Sequence, residues 1–155
     1  MKKAKKSLSQ NFLTDKNICK KIIKLIDLRD RNIIEIGPGY GFMTDFILEK
    51  NPQNLILIEK DINLVKILKD KYKNKKNVVI LEGDILKFKF KEFNKLIIIS
   101  NLPYNISTKI ILYLFENNKY ISEMIFMIQK EVAQKFDYNL AKMNKYKFFT
   151  KLLST

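Results

Sequence analysis

The sequence contains no histidine, a single cysteine, three prolines and four glycines in 155 residues. Without imidazole there is no Ser-His or Cys-His nucleophile pair and no His-ligated zinc, so any chemistry here runs without a dedicated strong base. The lone Cys19 excludes an internal disulfide and a thiolate metal cluster, and its place in a helical pattern makes it a small apolar core residue; no metal is expected. Long apolar runs are also missing. Leu55–Ile58 and Leu96–Ile99 are far too short to cross a bilayer, and the basic start MKKAKKSLSQNFL is not followed by an apolar stretch of signal-peptide length. A cytoplasmic protein with no membrane partner is expected.

What remains is globular in character, with 46% hydrophobic and 30% charged residues, and is enough for one domain with one sizeable core. The formal net charge is +14, almost all of it lysine, because arginine occurs only at Arg29 and Arg31. Such a balance draws a chain toward polyanions, nucleic acid first among them. The bland reading is a lysine-rich composition with most lysines on solvated faces. No repeat, low-complexity linker or Pro/Gly/Ser-rich boundary divides the chain.

Periodicity gives the elements. DKNICKKIIKLIDL places Ile18, Ile22, Ile23, Leu25 and Ile26 at helical intervals, with Asp15 as N-cap. NIIEIGPGYGFMTDFILEKN reads as strand, glycine-dense turn and an amphipathic helix carrying Phe42, Phe46 and Ile47. NLILIEKDINLVKILKDKY repeats the unit, a strand ending at Glu59 and a helix with Ile62, Val65 and Leu68 on one face. NVVILEGDIL is a third strand and turn, KLIIISNLPYNISTKIILYLFENN a fourth strand and helix, and SEMIFMIQKEVAQKF a fifth strand feeding a helix. The tail KYKFFTKLLST pairs Phe148 with Leu152 and Phe149 with Leu153 at helical spacing. Alternation of this kind predicts an α/β fold, an open parallel sheet doubly wound with helices on both faces; the near-continuous apolar strands agree.

In such a sheet ligands gather at the carboxyl ends of the strands. There the sequence puts EIGPGYG after strand one, Glu59 after strand two, Asp84 after strand three and NLPY after strand four. Gly37, Gly39 and Gly41 are spaced G-x-G-x-G, whereas a dinucleotide fingerprint needs its third glycine where Phe42 stands, which argues against NAD. Glycines still permit turns closed to other residues and close backbone approach to a ligand. Glu59 follows Gly41 by eighteen residues, the place from which a carboxylate accepts both hydroxyls of a ribose. A ligand with a ribose and no phosphate cradle fits S-adenosyl-L-methionine. Asp84 would accept from its adenine amine, its bland alternative being a turn cap.

The break LIIISNLPYNIS then acquires a meaning. An adenine amine is a poor nucleophile because its lone pair is delocalised into the ring. If its two N–H groups donate to the Asn101 side-chain oxygen and a backbone carbonyl such as that of Leu102, the nitrogen is drawn toward a tetrahedral shape. Pro103 holds the carbonyl rigidly, and Tyr104 offers a ring on which a flipped base stacks. Positioning and stabilisation of charge on nitrogen then drive an in-line displacement.

SQNFL (residues 9–13), EIGPGYGFMT (35–44), IEKD (58–61), GDIL (83–86), NLPYNIS (101–107) and MIQKEVAQKF (127–136) occur in this order. Together they resemble the small-subunit ribosomal RNA adenine N6,N6-dimethyltransferases of the KsgA type, over residues 7–136. The resemblance implies a class I S-adenosylmethionine-dependent methyltransferase domain over residues 1–155, with residues 1–13 a basic arm carrying QNFL. It also implies S-adenosyl-L-methionine as cofactor and two adjacent adenosines near the 3′ end of small-subunit rRNA, in the 30S subunit, as substrate of a monomeric enzyme. Asn11 and Leu13 would cover the cofactor, Gly37, Gly39 and Glu59 would hold its methionine and ribose parts, Asp84 its adenine, and Asn101 would touch both cofactor and target amine. The bland reading of QNFL is a capped helix start with Phe12 packed inward.

The chain departs from the family at Ser9, where glycine is usual, and at Lys147–Thr150, where Gly-Arg-Leu-Ser is usual. It also ends at Thr155, before the last two strands of the sheet and the small C-terminal helical domain. Strand five would then be an exposed apolar edge, with marginal stability and reduced or no activity as the expected consequences. Two alternatives carry different expectations: an erythromycin-resistance type methylase acting on 23S rRNA, and a non-catalytic RNA-binding remnant.

Overall fold

The computed structural model describes residues 15–103 and 105–133. Five strands, β1 (Asn32–Ile36), β2 (Asn54–Glu59), β3 (Val78–Glu82), β4 (Leu96–Asn101) and β5 (Ile121–Met127), form one sheet in the order β3-β2-β1-β4-β5. Every pairing is parallel. Four helices are interleaved: α1 (Lys16–Ile23), α2 (Phe42–Leu48), α3 (Ile62–Lys71) and α4 (Ser107–Glu116). Residues 130–133 after β5 are helical, and the tail helix expected around Phe148 lies outside the described residues.

Strand side chains alternate between two cores, as a pleated strand requires. Ile34, Ile36, Ile56, Ile58, Leu96 and Ile98 face one way and meet Ile110, Ile111 and Leu114 of α4, together with Ile85 and Phe90 from the β3–β4 connection. Ile33, Leu55, Leu57, Ile97 and Ile99 face the other way and meet Cys19, Ile22 and Ile23 of α1, Met43 and Ile47 of α2, and Leu68 of α3. The sheet is therefore covered on both faces, as the apolar strands predict. Cys19 is the core residue expected, its thiol pushed up to about 11, first by burial and then by the charges of Glu35 and Asp15.

Helix starts follow their caps. The Asp15 carboxylate accepts from Asn17 N–H (2.7 Å) and Ile18 N–H (3.2 Å), and Asp61 accepts from Asn63 N–H (2.9 Å). Three details differ from the periodicity reading. α1 ends at Ile23 rather than running through Ile26, because Asp27 forms a turn with Arg29 N–H (3.1 Å) that returns Leu28 to the core and leaves Leu25 41% exposed. On α3 the buried face is Leu64, Val65 and Leu68, while Ile62 at the first helical position is 48% exposed. On α2 the buried residues are Met43, Thr44 and Ile47, with Phe42 and Phe46 half-buried and edge to face at 5.8 Å.

Candidate functional site at the carboxyl ends of the strands

β1 lies between β2 and β4, so chain connections leave it in opposite directions and a crevice opens beyond the carboxyl ends of β1 and β4. Backbone bonds tie the strand ends into one rim. Gly37 N–H donates to Ile58 O (2.9 Å) and Gly83 N–H to Glu59 O (2.9 Å). Buried Ser100 donates its hydroxyl to Ile36 O at 2.6 Å, fastening the tip of β4 to the tip of β1 immediately before Asn101.

The three glycines of the β1–α2 turn all have left-handed φ: Gly37 +65°, Gly39 +60° and Gly41 +75°. Their reasons differ. A Cβ at Gly37 would meet nothing, so its side of the turn opens onto the crevice. A Cβ at Gly41 would overlap the Tyr72 hydroxyl. That hydroxyl lies 2.9 Å from Gly41 O and 2.8 Å from Asp45 Oδ1. Beside it, Lys71 Nζ reaches Tyr40 O and Gly41 O (both 3.2 Å) and Asp45 Oδ2 (2.7 Å). The end of α3 thus clamps the glycine turn, a role for which the sequence carries no recognisable signal.

Glu59 is 6% exposed, and its carboxylate braces the rim: Oε2 accepts from Gly39 N–H (3.2 Å), and Oε1 from Lys60 N–H (2.8 Å) and Asp61 N–H (2.9 Å). Burial raises its pKa, opposed by those three donors. Three of roughly four acceptor positions are used, which leaves room for one further donor, one ribose hydroxyl rather than the two expected from the sequence. Asp84 caps a 3-10 turn at Ile85–Lys87 through Leu86 N–H (3.1 Å) and pairs with Lys60 Nζ (3.0 Å). Burial pushes its carboxyl up, but the Leu86 N–H and the Lys60 and Lys87 charges outweigh it and the net shift is downward. The turn-cap reading of Asp84 therefore holds, and its charged form is favoured for any further donor. A Cβ at neighbouring Gly83 would also meet nothing.

Asn101 closes β4, half-buried, opposite Met127. Leu102 N–H donates to Met127 O (3.1 Å), which fixes the following peptide, while no donor among the described residues reaches the Leu102 carbonyl. The Pro103 carbonyl is occupied by the start of α4, accepting from Ile106 N–H (3.3 Å) and Ser107 N–H (3.1 Å). Asn11, Leu13 and Tyr104 lie outside the described residues.

The rim thus brings together Gly37, Gly39, Glu59, Asp84, Asn101, Leu102 and Pro103. Acceptors dominate it, and the Lys60 ammonium is committed to Asp84. A nucleoside with free hydroxyls and an amine fits this set of oxygens, with space above Gly37 and Gly83; a pyrophosphate does not. Among the described residues no cluster of His, Cys, Asp and Glu could hold a metal ion, and no helix is long and apolar enough to cross a membrane. A hollow of about 430 Å³ lies elsewhere, at the amino end of the sheet between the turn after α1 and the end of α2, and contains none of these residues.

Ribosomal RNA small subunit methyltransferase A of Mycoplasma mobile is 42% identical over 140 residues, covering 90% of this chain and 53% of the relative. That of Malacoplasma penetrans is 42% identical over 154 residues, covering 97% and 54%. The chain spans about half the length of the curated relatives it matches. Among solved structures, a dimethyladenosine transferase from Plasmodium falciparum superposes with a TM-score of 0.72 at 28% identity, covering 87% of this chain and 49% of that one. The 23S rRNA methyltransferase ErmE gives 0.74 at 25%, covering 83% and 52%. The sheet is thus that of the class I methyltransferases. The sequence pattern of the ribosomal RNA adenine dimethylases extends over residues 1–150, and with the strand-end rim in place the chain belongs to that family.

Proposed function

We propose that this chain carries the cofactor-binding and catalytic part of an S-adenosyl-L-methionine-dependent enzyme that dimethylates N6 of two adjacent adenosines near the 3′ end of small-subunit rRNA. One observation supports this reading above the others. The half-buried Asn101 and the Leu102 carbonyl stand at the tip of β4, fastened through Ser100 to the strand that carries the glycine turn. Gly37, Gly39, Glu59 and Asp84 would hold S-adenosyl-L-methionine, which would supply a methyl carbon made electrophilic by a sulfonium. The protein's part is to hold the nucleophile. Asn101 Oδ1 and Leu102 O accept the two N–H groups of the target amine, which localises its lone pair and orients it along the line of displacement. The same two oxygens stabilise positive charge as it grows on nitrogen. That charge makes the amine proton acidic, so its departure to water needs no imidazole. The family resemblance assigns Tyr104 to stacking of the flipped base and Asn11 and Leu13 to the cofactor; all three lie outside the described residues.

The small ribosomal subunit is then the partner, met in the cytoplasm by a monomeric enzyme. Identities of 41–47% to small-subunit methyltransferases favour that substrate. The likeness to ErmE favours a second reading, the same chemistry on large-subunit RNA. Transfer of labelled methyl groups into 30S subunits and into 23S-derived RNA separates the two. Asn101→Ala is expected to lower turnover on the preferred substrate by about 10²-fold or more. Unchanged turnover in that variant would remove the strand tip from the mechanism.

A further inference from the structure

The β3–β4 connection runs LKFKFKEFNK, with lysines and phenylalanines alternating. Its phenylalanines are packed: Phe90 is fully buried, Phe88 meets it edge to face at 4.9 Å, and Phe90 lies 6.0 Å from the Tyr113 ring of α4. The Tyr113 hydroxyl donates to Phe88 O at 2.6 Å, pinning the connection to α4. Phe88 is extended (φ −71°, ψ 133°), so with its ring held inward, Lys87 and Lys89 leave on the solvent side. Lys109, also exposed, stands one turn before Tyr113, between that contact and the Asn101–Pro103 tip.

These lysines differ from others near the rim. Lys60 and Lys71 are each paired with a carboxylate. Among the described residues Lys87, Lys89 and Lys109 make no ion pair. The acidic residues next to them are Asp84, bound to Lys60 and within the field of Lys87, and Glu116, whose charge reaches the Tyr113 ring. An immobilised backbone thus presents unpaired cations beside the strand ends, two of them separated by one residue of extended chain, about 6–7 Å. That step suits successive phosphates of a single RNA strand.

We propose that Lys87, Lys89 and Lys109 form a docking strip for the phosphates of the RNA strand flanking the target adenosine. The strip deepens the methyltransferase reading and rests on it for the identity of the strand. Its signature is electrostatic, since each phosphate contact releases counterions and steepens the salt dependence of binding.

The test uses the full chain and a fluorescein-labelled RNA hairpin with two adjacent adenosines in its loop, titrated by anisotropy across a range of KCl. The triple variant Lys87→Gln, Lys89→Gln, Lys109→Gln is expected to flatten the slope of log Kd against log salt by about 2, roughly 0.7 for each contact. A control of equal charge, Lys20→Gln, Lys66→Gln, Lys69→Gln, removes exposed lysines from α1 and α3, which cover the other face of the sheet. Its slope is expected to stay near that of the parent. A strip variant with the parent's slope, or a control flattened as much, overturns the proposal. Calorimetric titration with S-adenosylhomocysteine keeps the two readings apart: a chain that binds the hairpin through the strip yet takes up no S-adenosylhomocysteine would sink the methyltransferase reading and leave the strip standing.

Discussion

Glu35 is the most heavily buried acid at the site, 3% exposed in the middle of β1, with Thr44 of α2 donating its hydroxyl to Oε2 at 2.6 Å. Burial pushes its carboxyl up to about 7, against the pull of the Thr44 bond and of Lys71. The folded protein therefore holds this proton more tightly than the unfolded chain does. Its stabilising share is complete below the unfolded value, near 4.5, and is lost as pH rises toward about 7. The loss is on the order of 3 kcal/mol at most. Glu35→Gln keeps an acceptor for Thr44 and removes the titration. Urea midpoints at pH 5 and pH 8 should show the glutamine variant gaining on the parent at the higher pH. A gap between the two proteins that does not change with pH would mean that Glu35 is ionised throughout. Sequence reading passed over this residue because an acid inside an apolar strand looks like part of the motif around it. Only the pleat, which turns Glu35 toward α2, exposes its partner.

Elements were more legible than the contacts between them. Asp15 and Asp61 announce helix starts, and the apolar runs of β1, β2 and β4 announce a doubly covered sheet, because each signal is local. The clamp from α3 onto the glycine turn is not local: Lys71 and Tyr72 stand about thirty positions from the carbonyls they hold. Nothing in a lysine-tyrosine pair at a helix end marks it. Similarly, Gly37 and Gly41 look equivalent as letters, yet a side chain at Gly41 would meet the Tyr72 hydroxyl and one at Gly37 would meet nothing. The clamp predicts coupling. Gly41→Ala suffers both the left-handed backbone and the overlap, and Tyr72→Phe loses a buried hydroxyl bonded to Gly41 and Asp45. Each should cost about 1–3 kcal/mol. In the double variant the overlapping hydroxyl is already gone, so its destabilisation should fall short of the sum by more than about 0.5 kcal/mol. Additivity in denaturant unfolding would show that α3 and the turn are energetically independent.

At the scale of the whole molecule the governing quantity is the net charge of +14. A domain of this length has a radius of gyration on the order of 15 Å. At ~10 mM salt the screening length is about 30 Å and every lysine feels the rest; at ~150 mM it is about 8 Å and only neighbours interact. The ion pairs resolved among the described residues, Arg31–Glu123, Lys60–Asp84, Lys71–Asp45 and Lys73–Asp70, are partly or largely exposed and contribute little against that repulsion. Sodium chloride should therefore raise the melting temperature by a few degrees between these two concentrations, since it relieves self-repulsion in the compact state more than it weakens the pairs. The affinity for RNA should move the other way over the same interval, because there the lysines are satisfied by phosphate and salt competes for them. A melting temperature that falls with salt would reverse the ranking and make the few ion pairs the dominant electrostatic contribution to the fold. The opposite slopes are a consequence of one charge distribution: the repulsion that weakens the free protein is what a polyanion relieves when it binds.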